Sequence, residues 1–172
     1  MEIWSLDECH MQQHGSRYTM WVPPEEKDPV LLHAPGRESM SVFGAVRVDT
    51  GRLLTLTSKT FNAETFQDFL DYLMRRTYRK REIHVILDNA RYHHAKLLRP
   101  WLKQYSGDII LDYLPPYSPE LNPIERVWKL TRRLCVHNRY FPSLKALVKI
   151  VGNQFITWEK PNPTLRRLCA IT

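Results

Sequence analysis

Residues 83–94 read Ile83-His84-Val85-Ile86-Leu87-Asp88-Asn89-Ala90-Arg91-Tyr92-His93-His94, a short apolar run that ends on an acid. Five nearly continuous hydrophobic positions suit a strand buried on both faces, which is how parallel strands read when helices cover them. The flanking sequence agrees. Upstream, Asn62 offers an N-cap and Glu64 a first-turn acid, and Phe66, Phe69, Leu70, Leu73 and Met74 recur at helical spacing. Residues 63–78 are therefore predicted as an amphipathic helix, ended by Arg79-Lys80-Arg81. Downstream, a helix is predicted near 94–105, which Pro100 must begin, kink or interrupt. Residues 108–114 read as another strand, and two helices follow near 123–137 and 143–157.

Before this unit come three further extended runs. Residues 2–10 read as a strand, and residues 40–48 and 53–58 flank Asp49-Thr50-Gly51, a hairpin signature. A looser segment with Pro23, Pro24, Pro29 and Pro35 and charges from Glu25 to Asp28 reads as a surface excursion. The expected fold is α/β. Three antiparallel strands are followed by parallel ones in a mixed five-stranded sheet, with helices on both faces.

A chain of 172 residues fits one domain, 1–172, able to bury a core without disulfides. No apolar run approaches the roughly 20 residues needed to cross a bilayer, and the N-terminus lacks a signal core. Cys9, Cys135 and Cys169 are far apart and read as buried free thiols. A cytoplasmic protein is the expectation. Its charge is polarised: from Arg126 onward there are ten Lys or Arg and one acid, a net of +9, whereas the first 125 residues sum to −2. A polyanionic partner fits that polarity, and so does a solvated basic tail.

Three acids stand out. Asp7 lies near the end of the first strand and Asp88 directly follows the fourth, and strand ends are where such sheets build sites. Either could equally be a turn residue. Asn122-Pro123-Ile124-Glu125 reads as an N-cap, a helix-opening proline and an acid at the third position, a capping box that a purely structural helix also wants. In the helix so begun, Ile124, Val127, Trp128, Thr131, Leu134 and Cys135 share one face. Glu125, Lys129 and Arg132 form a stripe along its edge, extended by Arg126 and Arg133. Lys129 could pair with Glu125.

The segments Leu6-Asp7-Glu8, LDNARYHH at 87–94 and LPPYSPELNPIERVW at 114–128 resemble the DDE transposases, specifically the bacterial insertion-sequence branch of the mariner superfamily. The third segment is the most specific. His93 matches the histidine that follows the family's Asp-Asn, and 36 residues separate Asp88 from Glu125. The resemblance implies a ribonuclease H-like fold with Asp7, Asp88 and Glu125 as catalytic residues and as ligands of two Mg²⁺ ions, Mn²⁺ substituting. Asp7 would bridge both ions. It further implies strand cleavage and strand transfer on double-stranded DNA at transposon ends and target, by a dimer in the DNA complex. A nucleoid-associated protein of prokaryotic source is expected. Family members usually carry helix-turn-helix modules before the catalytic domain. Such a region is absent from this sequence, and a separate helix-turn-helix polypeptide could supply it.

The chemistry suits the residues, because Mg²⁺ prefers oxygen ligands and can activate an attacking oxygen while stabilising a leaving one. Glu8 competes with Asp7, but neighbours on a strand face opposite ways, and the resemblance selects Asp7. Lys129, Arg132, Arg133 and Arg126 are candidate phosphate contacts. His93 would position the strand end or touch phosphate. Tyr117 and Trp128 read as core or loop anchors, with nucleotide stacking the alternative. Two rival functions stay open: another ribonuclease H-like nuclease, or an inactive or repurposed DNA-binding remnant.

Overall fold

The computed structural model describes residues 1–25, 30, 32, 36, 38–77 and 81–171. Its sheet has five strands: β1 (Glu2–Gln12), β2 (Ser39–Arg47), β3 (Leu53–Thr57), β4 (Ile83–Leu87) and β5 (Ile109–Tyr113). Their order is β3-β2-β1-β4-β5. The pairings β1–β2 and β2–β3 are antiparallel, and β1–β4 and β4–β5 are parallel. This is the expected mixed sheet, with β1 at its centre. Gly51 turns the β2–β3 hairpin at φ 69°, and its N–H donates to Arg47 O. Part of the excursion between β1 and β2, including the charges Glu26 to Asp28, Pro29 and Pro35, lies outside the described residues, as do Arg79 and Lys80.

Alternation along β1 divides the core in two. Trp4 and Leu6 face α1 (Ala63–Arg76) and α2 (Arg99–Gln104), packing with Phe66, Phe69, Leu70 and Trp101. Cys9 and Met11 face the other side, against α3 (Ile124–Thr131), α4 (Leu144–Trp158) and α5 (Pro163–Leu168). Helix α1 starts at the expected residue through a reciprocal capping box between Asn62 and Thr65. Pro100 begins α2, after two short 3₁₀ turns at Arg91–His94 and Lys96–Leu98. Helix α5 was not expected. Asn162 accepts from the N–H groups of Thr164 and Leu165, and Pro163 opens the helix, so a capping signal was present. All three cysteines are buried and free, and no described helix is long and apolar enough to cross a membrane.

Two expectations for α3 fail. The capping box does not form: Asn122 is buried and committed to β1, accepting from Ser5 Oγ and donating to Leu6 O at 2.9 Å. The cap comes from the sheet instead, where Ser5 Oγ accepts from Ile124 N at 2.9 Å. Nor does the apolar face continue to Leu134. After Thr131 the helix widens into a π-helical turn, Arg132–Val136, closed by His137 N donating to Arg132 O at 2.8 Å. The wider turn sets the phase back, so Cys135 and Val136 are buried and Leu134 is 42% exposed.

Candidate active site

Register decides which acids meet. The β1–β4 ladder ends where Ser5 lies beside Ile86, so Asp7 and Asp88 each stand two residues past its last pair. Adjacent strands lie about 4.8 Å apart, close enough for two carboxylates to face one space. The third acid is placed by the cap just described: Ser5 and Asn122 fasten the start of α3 onto β1, two residues from Asp7. Glu125 is the second residue of that helix. It has no capping role, and the ion pairs among the described residues do not include one between it and Lys129. Its side chain joins Asp7 and Asp88 around one cavity of about 380 Å³. The structure brings together all three acids singled out in the sequence.

Asp7 is held from above by α3. Trp128 Nε1 donates to Asp7 Oδ2 at 3.0 Å, and the indole lies over Gly44, which pairs with Asp7 across the β1–β2 ladder. Sequence reading placed Trp128 as an anchor and missed this donor. The signal available was Gly44, since a glycine inside a strand often marks a close approach. Burial pushes the Asp7 carboxyl up to about 8, and the charges of Glu8 and Glu125 push the same way, against hydrogen bonds from the Glu8 backbone and Trp128. Such a site holds a proton or a cation.

Asp88 is held from the other side of the sheet. His93 Nδ1 lies 3.2 Å from Asp88 Oδ1 and its Nε2 lies 3.1 Å from Glu8 Oε1. The hydrogen bond to His93 is the main cause holding Asp88 below the usual carboxylate range. Burial opposes charge on His93, and the bonds to Asp88 and Glu8 outweigh it, raising the ring to about 9. Glu8 faces away from Asp7, as alternation requires. His93 is only 1% exposed, so the expectation that it touches phosphate is corrected: the ring sits beneath Asp88, walled in by Phe66 and Tyr92 at centroid distances of 4.3 and 4.5 Å.

The candidate phosphate contacts lie together. Arg126, Lys129, Arg132 and Arg133 all line a second cavity of about 520 Å³ beside α3, with Tyr18 and His137. Arg132 also donates to Cys9 Sγ at 3.1 Å. Arg126 also serves structure, because its guanidinium donates to the carbonyls of Leu168, the last residue of α5, and of Ala170, just past it, at 3.0 and 3.3 Å. Tyr117 is no anchor. It is fully exposed at the rim of the acidic cavity and adopts φ 58°, a left-handed backbone rarely taken by an aromatic residue.

The sequence profile described as DDE superfamily endonuclease matches residues 2–148. An uncharacterized protein of Sinorhizobium fredii is 35% identical over 119 residues, covering 69% of this chain and 82% of that protein. The uncharacterized 39 kDa protein of insertion element IS630 from Shigella sonnei is 28% identical over 130 residues, 75% of this chain and 37% of its own length. Among solved structures, the Mos1 mariner paired end complex with Mn superposes with a TM-score of 0.70 at 21% identity, covering 97% of this chain and 51% of that one. The fold is thus the ribonuclease H-like one expected, and the chain spans about half or less of the last two relatives.

Proposed function

The chain belongs to the DDE superfamily of endonucleases, and from that premise we propose that it is a transposase catalytic domain, which cuts DNA at transposon ends and joins the freed end to a target. The observation that carries this reading is the convergence of Asp7, Asp88 and Glu125 on one cavity. The insertion-element origin of the Shigella relative and the paired-end state of the Mos1 complex support it.

The donor set fits hard divalent cations. Every acidic group lining the cavity offers oxygen, and Asp7 is raised first by burial and then by the charges of Glu8 and Glu125, which a cation would offset. Asp7, Asp88 and Glu125 would hold two Mg²⁺ ions, for which Mn²⁺ could substitute. When bound, the pair supplies Lewis-acid stabilisation of the attacking and leaving oxygens. The protein's own part is placement: the β1–β4 pairing brings two carboxylates to one cavity, α3 delivers the third, and Trp128 fixes the orientation of Asp7. In cleavage a water oxygen bonds to phosphorus, the P–O3′ bond breaks, and the departing oxygen takes a proton to become a 3′-hydroxyl. In transfer that hydroxyl attacks a target phosphorus and loses its proton as the target P–O3′ bond breaks.

Lys129 on α3 and Arg132 and Arg133 in the turn after it would hold the DNA backbone, with Tyr117 offering a face to a base at the rim of the acidic cavity. We further propose that the DNA-bound form is a dimer and that recognition of the transposon ends comes from a helix-turn-helix region, on a longer version of this chain or on a separate polypeptide. The test is joining of a pre-cleaved duplex end bearing a 3′-hydroxyl to supercoiled plasmid, with Mg²⁺ and an Asp88→Asn control. Covalent joints that depend on Asp88 are expected. Cleavage confined to RNA–DNA hybrids would replace the transposase reading with that of another nuclease.

A further inference from the structure

The three acids are not equally secured. Asp7 lies within the central strand under Trp128, and Glu125 lies on a helix. Asp88 stands one residue beyond the end of β4, with its side chain 53% exposed. An aspartate there is free to change rotamer unless something holds it. Both contacts to its carboxylate fall on Oδ1: Ala90 N donates to it at 3.1 Å, and His93 Nδ1, which also meets the Asp88 carbonyl at 3.2 Å, lies 3.2 Å away. Oδ2 is left for a ligand.

The imidazole that grips Oδ1 is itself fixed. It packs at a tilt against Phe66 of α1 and edge-on against Tyr92, the His93 carbonyl accepts from Tyr113 Oη at 3.2 Å, and Nε2 meets Glu8 Oε1 at 3.1 Å. Glu8 is 11% exposed and lies on the α1 face of β1, opposite the cavity. Nε2 faces the Glu8 carboxylate, and Nδ1 faces both the carbonyl and Oδ1 of Asp88. The chain Glu8–His93–Asp88 is compact, with one side-chain atom of each residue within 4.8 Å of the others, and it ends on Asp88 at the rim of the site.

We propose that Glu8 and His93 are positioning residues, which hold the Asp88 carboxylate with Oδ2 toward Asp7 and Glu125 and so raise the affinity of the site for divalent cations. This rests on the reading of Asp88 as a metal ligand. Partners behind a metal ligand commonly carry 10–100-fold of its affinity, and a carboxylate–imidazole–carboxylate bridge costs too much desolvation to be explained well by stability alone.

Calorimetric titration of Mn²⁺ into the DNA-free protein tests this, run where circular dichroism shows each variant folded. Glu8→Gln and His93→Asn are each expected to weaken Mn²⁺ binding by about tenfold. In an Asp88→Asn background the same changes are expected to weaken it no further, because their action passes through Asp88. A merely structural bridge lowers the melting temperature and leaves Mn²⁺ affinity alone, which would overturn the proposal, as would an equal loss in the Asp88→Asn background. Should Glu8→Gln fail to fold, Glu8→Asp keeps the charge but withdraws it by one methylene, and the same weakening is expected. If Asp88→Asn itself leaves Mn²⁺ binding unchanged, the metal-ligand reading falls and the proposal with it. If Asp88→Asn weakens binding and Glu8→Gln does not, only the positioning role is lost.

Discussion

The indole of Trp128 occupies the place where a side chain on Gly44 would begin, so that a Cβ added there would overlap the ring atoms Cη2 and Cζ2. The same indole donates to Asp7, so the missing side chain on β2 is what lets α3 reach the central acid. Gly44→Ala is expected to cost about 1–3 kcal/mol by overpacking, seen in denaturant melts, and to cut strand joining as the ring is displaced. Trp128→Phe keeps the apolar ring and removes the donor. It should fold and lose roughly 10–100-fold in joining rate. Full activity in both variants would show that Asp7 does not need this contact.

Asp7 makes a pH-dependent contribution to stability. Its folded carboxyl titrates near 8, above the ordinary value of 3.8, so the folded metal-free protein holds a proton that the unfolded chain has released. Stability therefore falls as pH rises from about 4 to 8, by up to about 1.4 kcal/mol per unit from this group. His93 adds a loss of the same sign across part of the range, common to wild type and variant. Asp7→Asn should melt higher than wild type at pH 8 and show the flatter profile. Parallel profiles in denaturant titrations across pH 5 to 8 would refute the burial of charge at Asp7.

Cation identity should separate binding from turnover. Mg²⁺ and Mn²⁺ are expected to support joining, and Ca²⁺, larger and more loosely coordinated, to permit binding with little product. Undiminished joining in EDTA would eliminate the metal mechanism.

Lys129, Arg132 and Arg133 are expected to act on DNA through charge alone. Replacing all three with Gln preserves helix propensity and leaves Ile124, Val127 and Trp128 buried. For every phosphate deprived of its cation, the magnitude of the salt slope of log K should fall by roughly 0.9 on duplex DNA, equally for unrelated sequences. The half-buried Arg132, drawn toward Cys9, is expected to contribute least. Arg126→Gln should instead lower the melting temperature, since its partners are the carbonyls at and just past the end of α5. An unchanged salt slope in the triple variant would move the DNA interface elsewhere.

Tyr117 holds its position at the cost of a left-handed backbone. Tyr117→Gly relieves that strain and removes an exposed ring, so melting temperature should hold or rise while joining to plasmid falls. If joining survives, the ring has no part in holding DNA.

The sheet and the identity of the three acids were legible in the sequence. The apolar run at 83–87, the Asp49-Thr50-Gly51 turn and the spacing of Phe66, Phe69, Leu70 and Leu73 are local patterns, and local backbone preference and solvent exposure suffice to read them. The resemblance, carried by residues 6–8, 87–94 and 114–128, then picked Asp7 over Glu8. What surrounds those acids is a matter of tertiary packing, because each such contact joins residues far apart in the chain. Ser5 caps a helix that begins at Ile124, so Asn122 caps nothing and Glu125 is released to the cavity. A π-helical turn resets the phase of the basic helix and exposes Leu134, which no regular periodicity foretells. His93 reads in sequence as a histidine beside DNA. Only the packing of α1 and β1 around it reveals a buried ring joining Glu8 to Asp88, since a side chain's partners are set by which elements close over it.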